Sequence, residues 1–171
     1  QMSVAVNENQ TYCSIETGNL PFKGQIKEVR FAVWSAKNGQ DDLMWYDGQE
    51  SSKGKWGVDI PINKHKTEGQ YSAHVYVVLK NGLSKFVGGT TFEIEPITIN
   101  GISAADSGEG DGRFLINISG VQPSAAVSQV RVAVWSDAAQ KDLRWYNVKG
   151  NQSENYEIKA DIRNHDNNLG K

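Results

Sequence analysis

Apolar and polar residues alternate with period two along most of the chain, which is typical of β-strands with one buried face. The dipeptides Asn38-Gly39 and Asn81-Gly82 are typical of hairpin turns between such strands. The first copy of the pattern predicts strands near Val4–Val6, Tyr12–Thr17, Glu28–Ser35, Leu43–Asp47, Trp56–Ile62, Tyr71–Leu79 and Lys85–Glu95. Short strands of this number and spacing indicate an all-β, immunoglobulin-like antiparallel sandwich.

The chain contains two copies of one sequence pattern. Val29–Ser35 reads VRFAVWS and Val130–Ser136 reads VRVAVWS. A few residues further on, Gln40–Asp47 (QDDLMWYD) is matched by Gln140–Asn147 (QKDLRWYN). Because the copies are each about the size of one small β domain, the sequence predicts two tandem sandwich repeats.

The two copies end differently. The first continues from Tyr71 into two further strands, whereas the second stops at Gly170-Lys171, where its counterpart is about to enter Tyr71. Pro96 marks the boundary, so we expect a first repeat at residues 1–95 and a truncated second repeat at 96–171. A sandwich without its last two strands has unpaired edges. We therefore expect it to be loosely held or completed by strand exchange with another chain.

The second copy should begin with a strand at Ile97–Ile102. The glycine-rich stretch Asp106–Gly112 is expected to be the loop that follows it.

Strand periodicity also assigns side chains to the two faces of a sheet. In VRFAVWS the apolar residues Val29, Phe31 and Val33 alternate inward, which leaves Trp34 on the outer face. The same alternation places Trp45 inward, as core between the sheets.

The next residue along, Tyr46, is then expected to face outward. In the strand at Tyr71–Leu79 the inward residues alternate with His74 and Tyr76, which should also face outward. The second copy repeats the arrangement, with Trp145 as core.

An outward cluster of aromatic side chains is the strongest candidate for a binding site. Aromatic rings stack on the apolar face of a sugar while their polar groups bond its hydroxyls. The alternative is that these side chains pack under a loop or between the copies. The candidate ligand-binding residues are Trp34, Tyr46, His74, Tyr76, Trp135 and Tyr146.

The remaining chemistry-bearing residues favour structural roles. His65 and His165 share one loop position without enough neighbouring ligands for a metal, so we expect them to satisfy loop backbone. Asp42 and Asp142 follow a turn and should be solvated. Cys13 lies in an alternating stretch and is expected to be a buried small hydrophobe.

Composition narrows the class of protein further. The net charge of −2 gives no general affinity for nucleic acid or an anionic membrane surface, and no apolar run is long enough to span a bilayer. The sequence carries no motif of a catalytic triad, phosphate-binding loop or zinc site, so we expect no catalytic residues, cofactor or metal.

The repeated VRhAVWS…Q-DLhWY core, where h is apolar, followed by an H…GxY run, resembles the Bsp-type repeat of secreted streptococcal surface proteins and cell-wall hydrolases. The match covers Val29–Tyr46 and His65–Tyr76 in the first copy and extends to His165 in the second. The resemblance implies a secreted, cell-wall-associated, non-catalytic module of an autolysin.

The sequence thus favours a module that binds peptidoglycan or an attached wall polymer. The alternative is a spacer or adhesin stalk that binds a host protein. A weaker third hypothesis is that the chain is itself a hydrolase.

Overall fold

The computed structural model of the chain describes residues 1–22, 24–37, 39–52 and 54–167. The chain divides into two compact units, Gln1–Pro96 and Ile97–Lys171. Asn38 of the predicted Asn38-Gly39 turn and the end of the second copy at Gly170-Lys171 lie outside the described residues.

The strands of the first unit are β1 (Met2–Val6), β2 (Tyr12–Thr17), β3 (Ile26–Ser35), β4 (Met44–Asp47), β5 (Gln49–Ser52), β6 (Lys55–Pro61), β7 (Gly69–Leu79) and β8 (Ser84–Ile94). They form a sandwich of two four-stranded antiparallel sheets with strand orders β1-β2-β6-β5 and β4-β3-β7-β8. A single turn of 3-10 helix, Ile62–Lys64, follows β6. This arrangement confirms the predicted all-β sandwich.

Alternate residues of the facing strands fill the space between these sheets. Val29, Phe31 and Val33 of β3 are fully buried, as their alternation predicts. The inward side chains of β7, beginning with Tyr71, are buried in the same core. Cys13 of β2 is buried as well, which confirms its interpretation as a small core residue.

Gly48 allows the chain to change sheets between β4 and β5. The chain leaves the sheet of β3 at Asp47 and pairs with β6 from Gln49 onward. A Cβ atom at Gly48 would lie 2.7 Å from Cε2 of Phe31, so only glycine fits this close passage without movement of a core ring. Strand β5 was not predicted, because its sequence QESS is exposed along its whole length and has no apolar alternation.

Within residues 97–167 the second unit has the same layers with fewer strands. These strands are β9 (Gly101–Asp106), β10 (Arg113–Ser119), β11 (Gln129–Val134), β12 (Arg144–Lys149) and β13 (Tyr156–Asp161). One antiparallel sheet has the order β13-β10-β9 and the other consists of β11 and β12. The core between them contains Ile116, Ile158 and Tyr156.

The predicted strand at Ile97–Ile102 is placed too early in the sequence. Pairing with β10 begins at Gly101, opposite Ser119, and extends to Asp106. The two isoleucines before Asn100 have no continuous ladder partner and are about half exposed, so their alternation is not that of a strand.

Among residues 97–167, strand β11 has a free edge. In the first unit β3 lies between β4 and β7, whereas among residues 97–167 β11 pairs with β12 alone. An apolar groove of about 390 Å³ lies beside it, lined by side chains that include Ile102, Phe114, Val132 and Trp135. The inward valines of β11 are therefore only half-buried, unlike their counterparts in β3.

Candidate aromatic binding face

The outer surface of the β4-β3-β7-β8 sheet carries a continuous row of aromatic rings, here called the aromatic face. Neighbouring ring centres along the row are 4.7, 5.0, 5.5 and 5.3 Å apart, within the usual range of aromatic contacts. The row consists, in order, of Trp34, His74, Phe86, Tyr76 and Trp45.

The register of the strands explains why these rings meet. On one face of a sheet, side chains directly opposite each other and those on the diagonal are within reach. Ala32 lies between Trp45 on β4 and His74 on β7, and its small side chain is buried beneath the surrounding rings. Gly89 lies opposite His74, and a Cβ atom there would approach Cδ2 of the His74 ring to 2.9 Å. Small residues at both positions let the large rings lie over the sheet.

A charged pair lies at one end of the aromatic face. The guanidinium of Arg30 lies 4.9 Å from the ring centre of Trp45, in the geometry of a cation–π contact. The same guanidinium is 3.6 Å from a carboxylate oxygen of Asp47. The Arg30 guanidinium therefore contacts both the Trp45 ring and the Asp47 carboxylate. The rest of the face consists of aromatic rings.

The structure corrects the assignment of faces in β4. Trp45 was predicted to be core, but it lies opposite Ala32 on the outer face and is 46% exposed. Tyr46 was predicted to face outward, but it lies opposite Phe31 and packs against the core. The predicted outward positions of Trp34, His74 and Tyr76 agree with the structure. Phe86 and Trp45 complete the row, and the sequence did not identify either of them.

Tyr46 turns inward because a buried histidine binds its hydroxyl. The hydroxyl oxygen of Tyr46 is 2.9 Å from Nε2 of His65, and Nδ1 of His65 is 3.1 Å from a carboxylate oxygen of Asp42. The other carboxylate oxygen of Asp42 accepts a hydrogen bond of 2.9 Å from the backbone N–H of Ser35. We call the three side chains of Asp42, His65 and Tyr46 the buried relay.

Hydrogen bonds and partial burial together set the pKa values of the Asp42 carboxyl and the Tyr46 hydroxyl. Burial alone would raise the pKa of Asp42, but hydrogen bonds from the Ser35 N–H and from His65 outweigh it and lower that pKa below the ordinary aspartate value. Burial, together with the nearby Asp42 charge, raises the pKa of the Tyr46 hydroxyl. An ionised Asp42 makes Nδ1 the donor, so in a neutral imidazole Nε2 of His65 accepts a hydrogen bond from the Tyr46 hydroxyl.

Through its backbone N–H, Ser35 lies next to Asp42 and His65 of the relay, a combination that the sequence did not reveal. In a serine hydrolase the histidine lies between nucleophile and carboxylate. Here Asp42 lies between Ser35 and His65, and the His65 side chain is fully buried. The arrangement is that of a structural clamp. The expectation that Asp42 is solvated was therefore wrong.

The second unit repeats both the relay and part of the outer face. The Tyr146 hydroxyl is 3.0 Å from Nε2 of His165, whose Nδ1 is 3.1 Å from the backbone oxygen of Asp142. Asp142 is buried rather than solvated, and hydrogen bonds from the Ser136 hydroxyl and N–H lower its pKa. Tyr146 thus packs inward, against the prediction.

The outward tryptophans of the second unit match those of the first. Trp145, predicted as core, is 55% exposed, and Arg131 lies 4.7 Å from its ring centre. Trp135, predicted as an outward residue, is 45% exposed. Within residues 97–167 the face contains these two rings, because no strand there supplies counterparts of His74 and Phe86.

The structure offers little support for other kinds of site. Among the described residues, no group of three or more His, Cys, Asp or Glu side chains could hold a metal ion. No helix in the described part of the chain is long and apolar enough to cross a membrane. Burial raises the pKa of the Cys13 thiol to about 11, so this thiol stays protonated at neutral pH.

The family model described as the GBS Bsp-like repeat matches residues 3–92 and 103–171, one match for each copy. The chain belongs to the GBS Bsp-like repeat family. This assignment confirms the resemblance carried by the VRhAVWS and DLhWY segments. No curated protein matches the chain by sequence.

Several solved structures resemble this tandem Bsp-like repeat at low sequence identity. A polysaccharide deacetylase from Bacillus cereus has 16% identity and a TM-score of 0.49, covering 57% of this chain and 30% of the deacetylase. A tetra-tandem repeat from the extending region of a large adhesion protein has 13% identity and a TM-score of 0.41. That match covers 96% of this chain and 41% of the adhesion protein, so the Bsp-like repeat spans less than half of either relative.

Proposed function

We propose that this chain is a non-catalytic module that binds the glycan of a bacterial cell wall through its aromatic face. In this proposal the chain belongs to a secreted, wall-associated protein and holds a peptidoglycan hydrolase, an autolysin, against its substrate. The aromatic face is the single observation that carries the proposal.

The composition of the face fits a carbohydrate. A contiguous exposed aromatic patch on a folded domain marks a site of interaction. Tryptophan and tyrosine combine an apolar ring with an N–H or O–H group, which suits the apolar face and the hydroxyl rim of a sugar. The charge of Arg30 is balanced by Asp47, so the face favours a neutral glycan over an anionic polymer.

Duplication of the outward tryptophans suits a polymeric ligand. Trp45 of the first unit and Trp145 of the second carry the same arginine contact. Two weak sites on one chain raise the apparent affinity for a repetitive polymer through effective concentration. A wall glycan offers such repeated sites.

The test is a pull-down on purified sacculi, both intact and stripped of attached polymers with hydrofluoric acid. Wild-type protein is expected on both, whereas the double variant Trp34→Ala, Trp45→Ala should bind about thirtyfold more weakly, since truncated central aromatics typically cost about 1 kcal/mol or more each. Tyr12→Ala is the matched control, because Tyr12 is an exposed aromatic residue on the other sheet. Retention on intact sacculi alone would identify an attached polymer as the ligand. No retention of wild type would refute wall binding.

The tandem repeat also favours a second candidate, a spacer or stalk of a surface adhesin. Such repeats set the distance between a cell surface and a distal domain and need no ligand of their own. This candidate predicts no retention on sacculi and equal behaviour of the face variants and Tyr12→Ala.

A further inference from the structure

Each of the two tryptophans at the ends of the aromatic face is followed in sequence by a residue that is hydrogen-bonded on the inner side of the sheet. Trp34 precedes Ser35, whose backbone N–H donates to Asp42. Trp45 precedes Tyr46, whose hydroxyl bonds His65. Successive residues of a strand point to opposite faces, so a residue fixed on the inner side sets the position of its neighbour on the outer side.

We propose that the buried relay of Asp42, His65 and Tyr46 positions Trp34 and Trp45 for ligand binding. The relay joins three separate parts of the fold: the turn after β3, strand β4, and the segment after the 3-10 helix. It therefore fixes the short edge strand β4, which has only four residues and one neighbour in its sheet.

The second unit supports the same role independently. Asp142, His165 and Tyr146 form similar contacts, although Nδ1 of His165 bonds the Asp142 backbone oxygen and lies 3.4 Å from the carboxylate. Strands β7 and β8 have no counterparts among residues 97–167. In both units an outward tryptophan precedes the serine whose N–H bonds the aspartate, and another precedes the tyrosine that bonds the histidine. Ser136 follows Trp135, and its N–H donates to Asp142, while Tyr146 follows Trp145.

The relay is suited to positioning because every group in it has a partner. The residues that contact a ligand keep their binding geometry when the residues behind them hold them by packing and hydrogen bonds. The His65 side chain is fully buried and both of its ring nitrogens are bonded, so its orientation is fixed. Without such support the edge strand could shift, and the row of rings would separate between Trp45 and Tyr76.

The test compares Tyr46→Phe with Tyr71→Phe. Both variants remove one buried hydroxyl and keep the ring, since the Tyr71 hydroxyl donates to the backbone oxygen of Thr67. The Tyr71 ring contacts His65, but this contact stays in Tyr71→Phe, and the hydroxyl that is lost bonds Thr67 and no member of the relay. We expect similar falls in melting temperature but a loss of sacculus binding of about fivefold or more for Tyr46→Phe only.

A spectroscopic measurement separates this inference from the proposed function on which it rests. In ¹⁵N-labelled protein, Tyr46→Phe is expected to shift the indole N–H resonances of Trp34 or Trp45, in the absence of any ligand. The Trp56 resonance should stay in place, as should both resonances of the second unit. Failure of wild type to bind sacculi refutes the proposed function alone. Unchanged Trp34 and Trp45 resonances, or equal binding losses in the two tyrosine variants, refute the positioning role.

Asp42→Asn provides a second variant. It keeps an oxygen for the Ser35 N–H but presents an amide where His65 needs an acceptor. The same two indole resonances should shift, and binding should fall as in Tyr46→Phe. A folded Asp42→Asn protein with wild-type binding and spectrum would also overturn the proposal.

Discussion

The guanidinium of Arg30 lies 4.9 Å from the ring centre of Trp45, and the same contact recurs between Arg131 and Trp145 at 4.7 Å. In each unit the contact places the guanidinium over the ring of an exposed tryptophan. A planar guanidinium stacks on a ring in a way that an ammonium group does not.

We expect Arg30→Lys to weaken sacculus binding about twofold to fivefold, since an exposed cation–π contact contributes about 0.5–1 kcal/mol. The substitution keeps the charge next to Asp47, so a loss of binding reports the stacking itself. Pull-down at several protein concentrations measures the change. Full binding by Arg30→Lys together with loss in Arg30→Gln would show instead that the charge is what matters.

Gly89→Ala tests the close packing beneath the aromatic face. The new Cβ atom would lie 2.9 Å from Cδ2 of His74 and 3.2 Å from the backbone oxygen of Ala73, so the His74 ring must move. Overpacking of this kind costs about 1–3 kcal/mol. We expect a lower melting temperature and weaker binding.

Gly101→Ala is the matched control for Gly89→Ala. A Cβ atom there meets only the Ser119 hydroxyl oxygen, at 3.7 Å. The two variants are compared by thermal unfolding and by pull-down. Equal melting temperatures and equal binding would contradict the close packing of Gly89 against His74.

The lowered pKa of Asp42 predicts a loss of stability in acid. A carboxyl group whose pKa is lower in the folded state stabilises the fold above its unfolded pKa, which is about 3.9 for aspartate. That contribution is lost as the pH falls through the folded pKa. Urea unfolding at a series of pH values from 7 to 3 should therefore show a falling free energy of unfolding at the acid end.

The variant Asp42→Asn isolates this effect. It should be less stable than wild type at pH 7, and its free energy of unfolding should depend less on pH below about 4. Parallel curves for the two proteins would mean that Asp42 does not contribute to the acid transition.

The free edge of β11 is predicted to accept an extended strand. Val130, Val132 and Val134 correspond to the residues of β3 that β7 covers in the first unit, and an open sheet edge can bind a strand through its backbone. A peptide with the sequence of Gly69–Leu79 should slow amide hydrogen exchange in β11. A peptide with lysine at the positions of Val75 and Val77 should not. Equal exchange with both peptides would argue against strand addition, which stays a prediction here.

The sequence was sufficient to predict the sandwich, because strand periodicity survives wherever one face of a strand is buried. The assignment of inward and outward residues was wrong in β4. Met44, Trp45 and Tyr46 are all large there, so an alternation with Trp45 inward and one with Tyr46 inward each bury an aromatic ring. The choice is made by His65, which binds the Tyr46 hydroxyl from a distant part of the chain. No local pattern contains that information.

The aromatic face was partly predictable for the same reason. Trp34, His74 and Tyr76 lie on strands with clear alternation, whereas Phe86 lies beside an irregularity in the β7–β8 ladder between Val75 and Tyr76. That irregularity shifts the register of the two strands, so the sequence does not show that Phe86 meets Tyr76. The buried relay depends on contacts between residues about twenty positions apart, which sequence spacing does not show.

An NMR titration shows whether the aromatic face binds wall glycan. Soluble glycan fragments released from sacculi are added to ¹⁵N-labelled protein, and the five indole N–H resonances are followed. Glycan binding at the aromatic face should give concentration-dependent shifts for Trp34 and Trp45, with Trp56 unchanged. Shifts confined to other residues, or no shifts at saturating fragment, would contradict it.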